Sequence, residues 1–170
     1  MKTYAYVGPP EILAQNTNQA SGTKILTTEA LKSWLGIADR DPQQPRVIAT
    51  FVIDKEGVLR LANRRTEHVA CAGGCSVLSA GEMTFRDDGI MEVVEVTNQS
   101  TGYCPEPESW VAVESALNQT GVKSPGQFTS EFLFRRCESC GQINIVKDDW
   151  FVCAVCDESL PRHWNFDASP

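Results

Sequence analysis

Val47-Ile48-Ala49-Thr50-Phe51-Val52-Ile53, then Asp54-Lys55-Glu56-Gly57, then Val58-Leu59-Arg60-Leu61 is the stretch that decides the fold. The first run is β-branched and aromatic, which suits a strand. Four turn-forming residues separate it from a second apolar run, the pattern of a β-hairpin. Downstream, Val77-Leu78, Met83-Thr84-Phe85 and Ile90 to Val96 continue the theme, and Asp87-Asp88-Gly89 supplies an Asp-Gly turn for a second hairpin. Residues 47–97 therefore predict an antiparallel meander or partial barrel. Upstream, Tyr4 and Tyr6 predict a short strand stopped by Pro9-Pro10, with a polar loop to about Thr23. Thr28 reads as the N-cap of a helix with Glu29 in its first turn and Leu31, Trp34 and Leu35 on one face, ending at Gly36. Beyond the sheet, Pro105 and Pro107 open a second helix with Trp110, Val113 and Leu117 at helical spacing and Gly121 placed as its C-cap.

Cys137-Glu138-Ser139-Cys140 and Cys153-Ala154-Val155-Cys156 are separated by twelve residues. A C-x-x-C pair folds as a tight knuckle that aims two thiolates at one ion, and a dozen residues bring the second pair to the opposite side of a tetrahedron. Gly141 follows the first pair, where a positive φ is wanted. Between the pairs, Ile143, Ile145 and Val146 predict one strand, Lys147-Asp148-Asp149 a turn and Trp150-Phe151-Val152 the returning strand. The segment resembles a zinc ribbon, which implies one structural Zn2+ on Cys137, Cys140, Cys153 and Cys156. Four protein thiolates leave no open position for hydrolysis. A rubredoxin-like iron site is disfavoured, because Ala154 and Asp157 stand where such a second knuckle has Pro and Gly. The expected class is α+β: an antiparallel β-meander or partial barrel with two short helices, plus the C-terminal ribbon. The domains are 1–126, with a β-rich core at 47–104, and 127–170, the ribbon and an aromatic tail. That tail, Leu160 to Phe166, is expected to fold back over the ribbon rather than to offer aromatic anchors to a partner.

Charge narrows the partners. The 170 residues hold 22 acidic and 15 basic side chains, a net charge of −7, which argues against general attraction to phosphate on nucleic acid or a membrane. The ribbon repeats the imbalance: from Glu131 to Pro170 four basic residues face seven acidic ones, and zinc on four thiolates adds two further negative charges. A nucleic-acid role would need a local patch such as Arg64-Arg65 or Arg135-Arg136. The first ten residues have no apolar signal region, and no apolar run approaches the ~18 residues of a membrane span. A cytoplasmic protein with reduced thiols is expected.

The segment His68 to Cys104 stays open between three readings. Cys71, Cys75 and Cys104 are small buried hydrophobes with His68 as a satisfied polar residue, since free Cys is among the most buried residue types. Or His68, Cys71, Cys75 and Cys104 form a second metal site. Or His68 acts as base or activates Cys71 or Cys75 in an active site, with Glu82, Asn98, Ser100 or Tyr103 assisting. No P-loop, H-E-x-x-H, G-x-S-x-G or G-x-G-x-x-G motif is present.

The order His68, Gly74, Val77, Ala80-Gly81-Glu82, Asn98-x-Ser100-x-Gly102-Tyr103-x-Pro105 resembles a β-rich module of bacterial toxin- and effector-like and conflict-system proteins. The likeness covers about residues 50–105. It departs at Val69, where the pattern has Ser, and at Thr101-Gly102, where it has Gly-His; if that His is catalytic, the resemblance implies an inactive copy.

These readings converge on a zinc-binding interaction or regulatory protein of a bacterial cytoplasm, with a protein partner and without nucleic acid or membrane. The alternatives are a small enzyme or small-molecule-binding domain at His68/Cys71/Glu82/Tyr103, and a nucleic-acid-binding ribbon.

Overall fold

A computed structural model describes residues 1–17, 20–40, 43, 46–86 and 91–166. The class is α+β, with an open five-stranded sheet and a separate two-stranded one. In chain order the elements are α1 (Pro10–Gln15), β1 (Thr23–Ile25), α2 (Thr28–Ile37), β2 (Arg46–Ile53), β3 (Leu59–Asn63), α3 (His68–Ala72), β4 (Ser79–Arg86), β5 (Val93–Val96), a 3-10 turn (Pro107–Ser109), α4 (Trp110–Thr120), β6 (Leu133–Arg136) and β7 (Ile143–Val146). The large sheet runs β1-β3-β2-β4-β5, every neighbouring pair antiparallel.

The β2–β3 hairpin forms where its sequence places it. Asp54 locks the turn: its Oδ1 accepts from the N–H groups of Glu56 and Val58 at 3.1 and 2.9 Å, and its Oδ2 pairs with Arg60 Nε at 2.9 Å. β2 has apolar neighbours on both faces. Val47, Ala49, Phe51 and Ile53 face a core completed by Leu59, Leu61, Met83, Phe85 and the inner sides of α2 and α4. Val52, on the other face, packs with Tyr4, Val69, Cys71, Val77 and Tyr103. Alternation along one strand thus creates two cores, with α2 and α4 over one face and α3 with the N-terminal segment over the other.

Several local expectations shift. The N-terminal strand reduces to one antiparallel bridge between Tyr4 and Val77, because Pro10 starts α1 at once. Thr27, not Thr28, caps α2, accepting from Ala30 N–H at 3.1 Å; the Thr28 hydroxyl instead reaches the carbonyl of Thr120. Gly36 lies inside α2, which runs to Ile37. Two short helices beyond those expected, α1 and α3, flank the second core. The turn expected at Asp87-Asp88-Gly89 falls outside the described residues. Gly121 caps α4 with φ of 66°, as its position implied.

The outer edge of β5 is covered: Thr129 N–H donates to Val96 O at 2.8 Å, and Val93 N–H donates to Lys123 O at 2.9 Å. The chain then enters β6 under the control of Asn98, which is fully buried. Its Nδ2 donates to the carbonyls of Pro105 and Phe132, both at 2.8 Å, and its Oδ1 accepts from Phe132 N–H at 2.7 Å. Arg135, 4% exposed, pairs with Glu106 at 2.9 Å. The aromatic tail folds back: Trp164 donates to Cys104 O at 2.8 Å and meets the Tyr4 ring edge-on at 5.6 Å. It therefore covers the junction with the main sheet as well as the ribbon.

Gly81 sits where β4 passes closest to the residues after β5. A Cβ added there would lie 1.9 Å from the Thr97 carbonyl oxygen and 3.1 Å from Asn98 Cα. Neither is a flexible side chain, so the backbone itself would have to move. Gly81→Ala is therefore expected to destabilise the protein by about 3 kcal/mol or more, read as a lower urea midpoint; an unchanged midpoint would contradict this packing.

Candidate metal centre

β6 leads directly into Cys137, and β7 leaves the same knuckle after Gln142, so the small sheet straddles the first cysteine pair. This corrects the expected hairpin between the two pairs. Residues 150–152 do not return along β7; they form only the isolated bridges Lys147–Trp150 and Val152–Ser159. Asp148 and Asp149 both adopt positive φ, 51° and 55°, and turn the chain away from β7.

Both knuckles are built alike. Cys137 N–H donates to Gln142 O at 2.8 Å, and Gly141 N–H returns to Cys137 O at 2.9 Å. Sixteen residues on, Cys153 N–H donates to Glu158 O at 2.8 Å, and Asp157 N–H returns to Cys153 O at 3.1 Å. Gly141 holds φ of 78° and Asp157 φ of 61°, so Asp occupies the left-handed position that Gly fills in the first knuckle. The missing second Gly in the sequence thus has a direct substitute.

The four sulfurs lie within 4.8 Å of one another. Across the knuckles, Cys137 and Cys156 approach to 3.5 Å, and Cys140 and Cys153 to 3.6 Å. A tetrahedral ion bonded to four sulfurs at about 2.3 Å sets them about 3.8 Å apart. The donor set therefore fits one thiophilic cation, and the cysteines are free thiols. Cys137 and Cys153 are buried while Cys140 and Cys156 face solvent. The Val155 N–H, helped by the Cys156 N–H and the Asn144 side chain, draws the Cys153 thiol down to about 6. At Cys156 the Glu158 N–H pulls the same way, but partial loss of hydration and the surrounding thiols of Cys137, Cys140 and Cys153 push it up to about 12. Four sulfurs this close do not all ionise without a cation among them.

Asn144 ties the knuckles together, and the sequence reading passed over it. Buried on β7, it donates to Gln142 O at 2.9 Å, accepts from Ala154 N–H at 2.9 Å and directs Nδ2 at Cys153 Sγ from 3.6 Å. A polar residue at an inward position of Ile143-Asn144-Ile145-Val146 was the available signal.

The other candidates separate. His68 opens α3 and its Nε2 donates to Gly81 O at 3.0 Å, so the proton sits on Nε2. Burial lowers its pKa, against the opposing pull of the Gly81 carbonyl, Glu82 and Glu67, and the ring is neutral. Glu82 pairs with Arg64 at 3.5 Å. Cys71 is buried on α3, its thiol pushed up to about 12 by desolvation; a reactive thiol needs the opposite shift. Tyr103 packs in the same core, donates to Cys75 O at 2.8 Å and is raised by burial, foremost. Cys104 belongs to a different cluster, with Phe134 and Phe166, and burial lifts it to about 12. Cys75 is exposed. Ser100 is buried with its hydroxyl unpartnered, and Asn98 is occupied by the bonds at β6. Among the described residues, no second group of three or more His, Cys, Asp or Glu side chains brings its ligand atoms together. Of the two basic patches, Arg135 is buried and Arg136 lies over the Phe166 ring at 5.3 Å.

No known family model, curated protein or solved structure matches the chain. The likeness of residues 50–105 to a toxin- and effector-associated module accordingly gains no support. Among the described residues no helix is long and apolar enough to cross a membrane.

Two outcomes follow from this geometry. If the four sulfurs hold a metal ion, Asn144→Ala is expected to weaken its binding at least about tenfold in a chelator competition with added Zn2+, because the groups that orient metal ligands carry effects of that size; equal affinity would remove Asn144 from this role. For His68, the unfolded imidazole takes up a proton below its ordinary pKa of 6.5, while the folded one resists until lower pH. Unfolding then binds a proton, so stability falls as pH drops through this window. Urea midpoints between pH 7.5 and 5.5 should decline more steeply for wild type than for His68→Gln.

Proposed function

We propose that this chain is a zinc-binding protein whose ion is structural and whose work is done through protein contacts, in an interaction or regulatory role. The observation carrying the metal assignment is the set of four sulfurs within 4.8 Å on two knuckles of like hydrogen bonding. Soft thiolates in a tetrahedral set select zinc or iron. The zinc reading rests on the second knuckle, where Ala154 stands in place of the Pro of a rubredoxin-like iron site. With every coordination position filled by sulfur, the ion would hold the fold and present no vacancy for a substrate. Cys137, Cys140, Cys153 and Cys156 would bind it, and the chain's own part is to fix their directions through the knuckle amides and Asn144.

The protein-contact reading draws support from charge and from the fate of the catalytic candidates. The chain carries −7, and Arg135, the arginine that leads into the first knuckle, is turned inward to Glu106. That arrangement disfavours phosphate. Cys71 and Tyr103 are buried with their pKa values raised, and His68 is occupied by a backbone carbonyl, which argues against these three as an activated catalytic set. A reducing compartment such as the cytoplasm suits a thiolate centre of this kind.

Metal analysis of the purified protein tests the assignment. The expected result is one zinc per chain, no visible charge-transfer absorption, and loss of both the zinc and the structure of residues 131–166 in Cys137→Ser. Iron with visible colour would transfer the site to electron transfer, and a metal-free, fully folded protein would end the metal reading altogether.

A further inference from the structure

Beside the knuckles lies an open groove of about 430 Å³ whose lining includes Ile145, Trp150, Val152 and Ala154, with Lys147, Asp148 and Asp157 among its polar members. Trp150 is 70% exposed, Val155 on the neighbouring turn 66% and Ile145 36%. Trp is rarely left so open unless it meets something, and exposed aromatic anchors beside a concave surface are what interfaces use. The platform is fixed: Trp150 N–H donates to Lys147 O at 2.9 Å across the Asp148-Asp149 turn, so the indole projects from a closed loop.

Charge says what covers it. Asp148, Asp149, Asp157 and Glu158 are all exposed at or next to this groove, against Lys147 alone. None of these carboxylates has an ion-pair partner among the described residues. The remaining basic groups of this region point elsewhere. Arg135 is held by Glu106, Arg136 stacks on Phe166, and Arg162 lies over Phe151 at 4.7 Å. A dication on four thiolates would add two negative charges to the groove wall through Cys153. An acidic partner or a nucleic acid would meet uncompensated repulsion.

We propose that this groove docks an extended, basic segment of a partner protein. An apolar side chain of the segment would fill the space beside Ile145 and Val152. A Lys or Arg would lie over the Trp150 ring, where a cation gains from the aromatic face and from the flanking carboxylates together. The assignment rests on the protein-contact reading above and names the surface and the chemistry of its partner.

The test uses the full, zinc-loaded chain and a fluorescein-labelled dodecapeptide alternating lysine and leucine. A glutamate–leucine peptide and an oligo-dT single strand serve as rivals, and anisotropy is the readout. The lysine peptide alone should bind, more weakly as salt rises. Trp150→Ala should lower its affinity at least tenfold, and Asp148→Asn with Asp149→Asn about fivefold, with zinc content unchanged. Glu29→Gln on α2, distant in sequence, should leave affinity unaltered. If Trp150→Ala binds the lysine peptide as wild type does, the groove assignment falls while the protein-contact reading stands. If the DNA strand binds and neither peptide does, both fall. No binding of any probe, or a dimer that Trp150→Ala dissolves, overturns the basic-segment proposal as well, the latter by making a second copy the occupant.

Discussion

Strand β2 has no solvent face from Ala49 to Ile53, and that constraint propagates in both directions through the molecule. Each residue there must be apolar or have its polar atoms bonded within the protein. Thr50 meets the condition by placing its hydroxyl 3.1 Å from the carbonyls of both Arg64 and Thr66, which pins the start of the β3–α3 connection. Phe51 and Ile53 require a roof on one side, supplied by α2 and α4; Val52 requires one on the other, supplied by α3, Tyr4 and Tyr103. The tight approach at Gly81 and the bond from His68 to its carbonyl belong to the same closure. Cys71 and Tyr103 thus pack in the second core, and His68 is bonded to the strand beside it.

The C-terminal forty residues solve the opposite problem. Their own apolar cluster is Cys137, Val146, Cys153 and Leu160, with Leu133 and Phe151 against it. A core of that size falls short of what an independent segment needs, and chains this short usually rely on metals or cross-links. The converging sulfurs supply a place for such a link. Asn98, Arg135 and Trp164 supply the other support, by fastening the segment to the connection between β5 and α4 with hydrogen bonds and an ion pair.

What the sequence disclosed follows the range of the interactions. The β2–β3 hairpin, α2, α4 and the two knuckles are written in residues close together in the chain: an Asp turn, a Gly cap, paired cysteines. The pairing of β2 with β4 depends on contacts that run from Ile53↔Ser79 to Arg46↔Arg86, and nothing local in the sequence records it. α3 is five residues with a Gly-Gly exit, too short for periodicity to announce. Asn144 reads as one polar residue in an apolar strand, and its meaning appears only once Cys153 and Ala154 stand beside it. The local sequence predicts a returning strand at 150–152 because Asp148 and Asp149 have the composition of a hairpin turn. They make one, but it closes on Trp150 alone and does not extend along β7.

Asn98 gives the two parts a common fate. It lies just after β5, its partners are the carbonyls of Pro105 and Phe132 and the amide of Phe132, and it is wholly buried. Opening the segment around the knuckles would strand those polar groups in the interior, at a cost of the order of 1–3 kcal/mol per unsatisfied group. A cation held at the knuckles at a hundred times its dissociation constant adds about 2.7 kcal/mol to whatever unfolds with it. If the segment and the sheet open together, that increment would reach the sheet through Asn98, and metal supply would then set how much of the chain is folded.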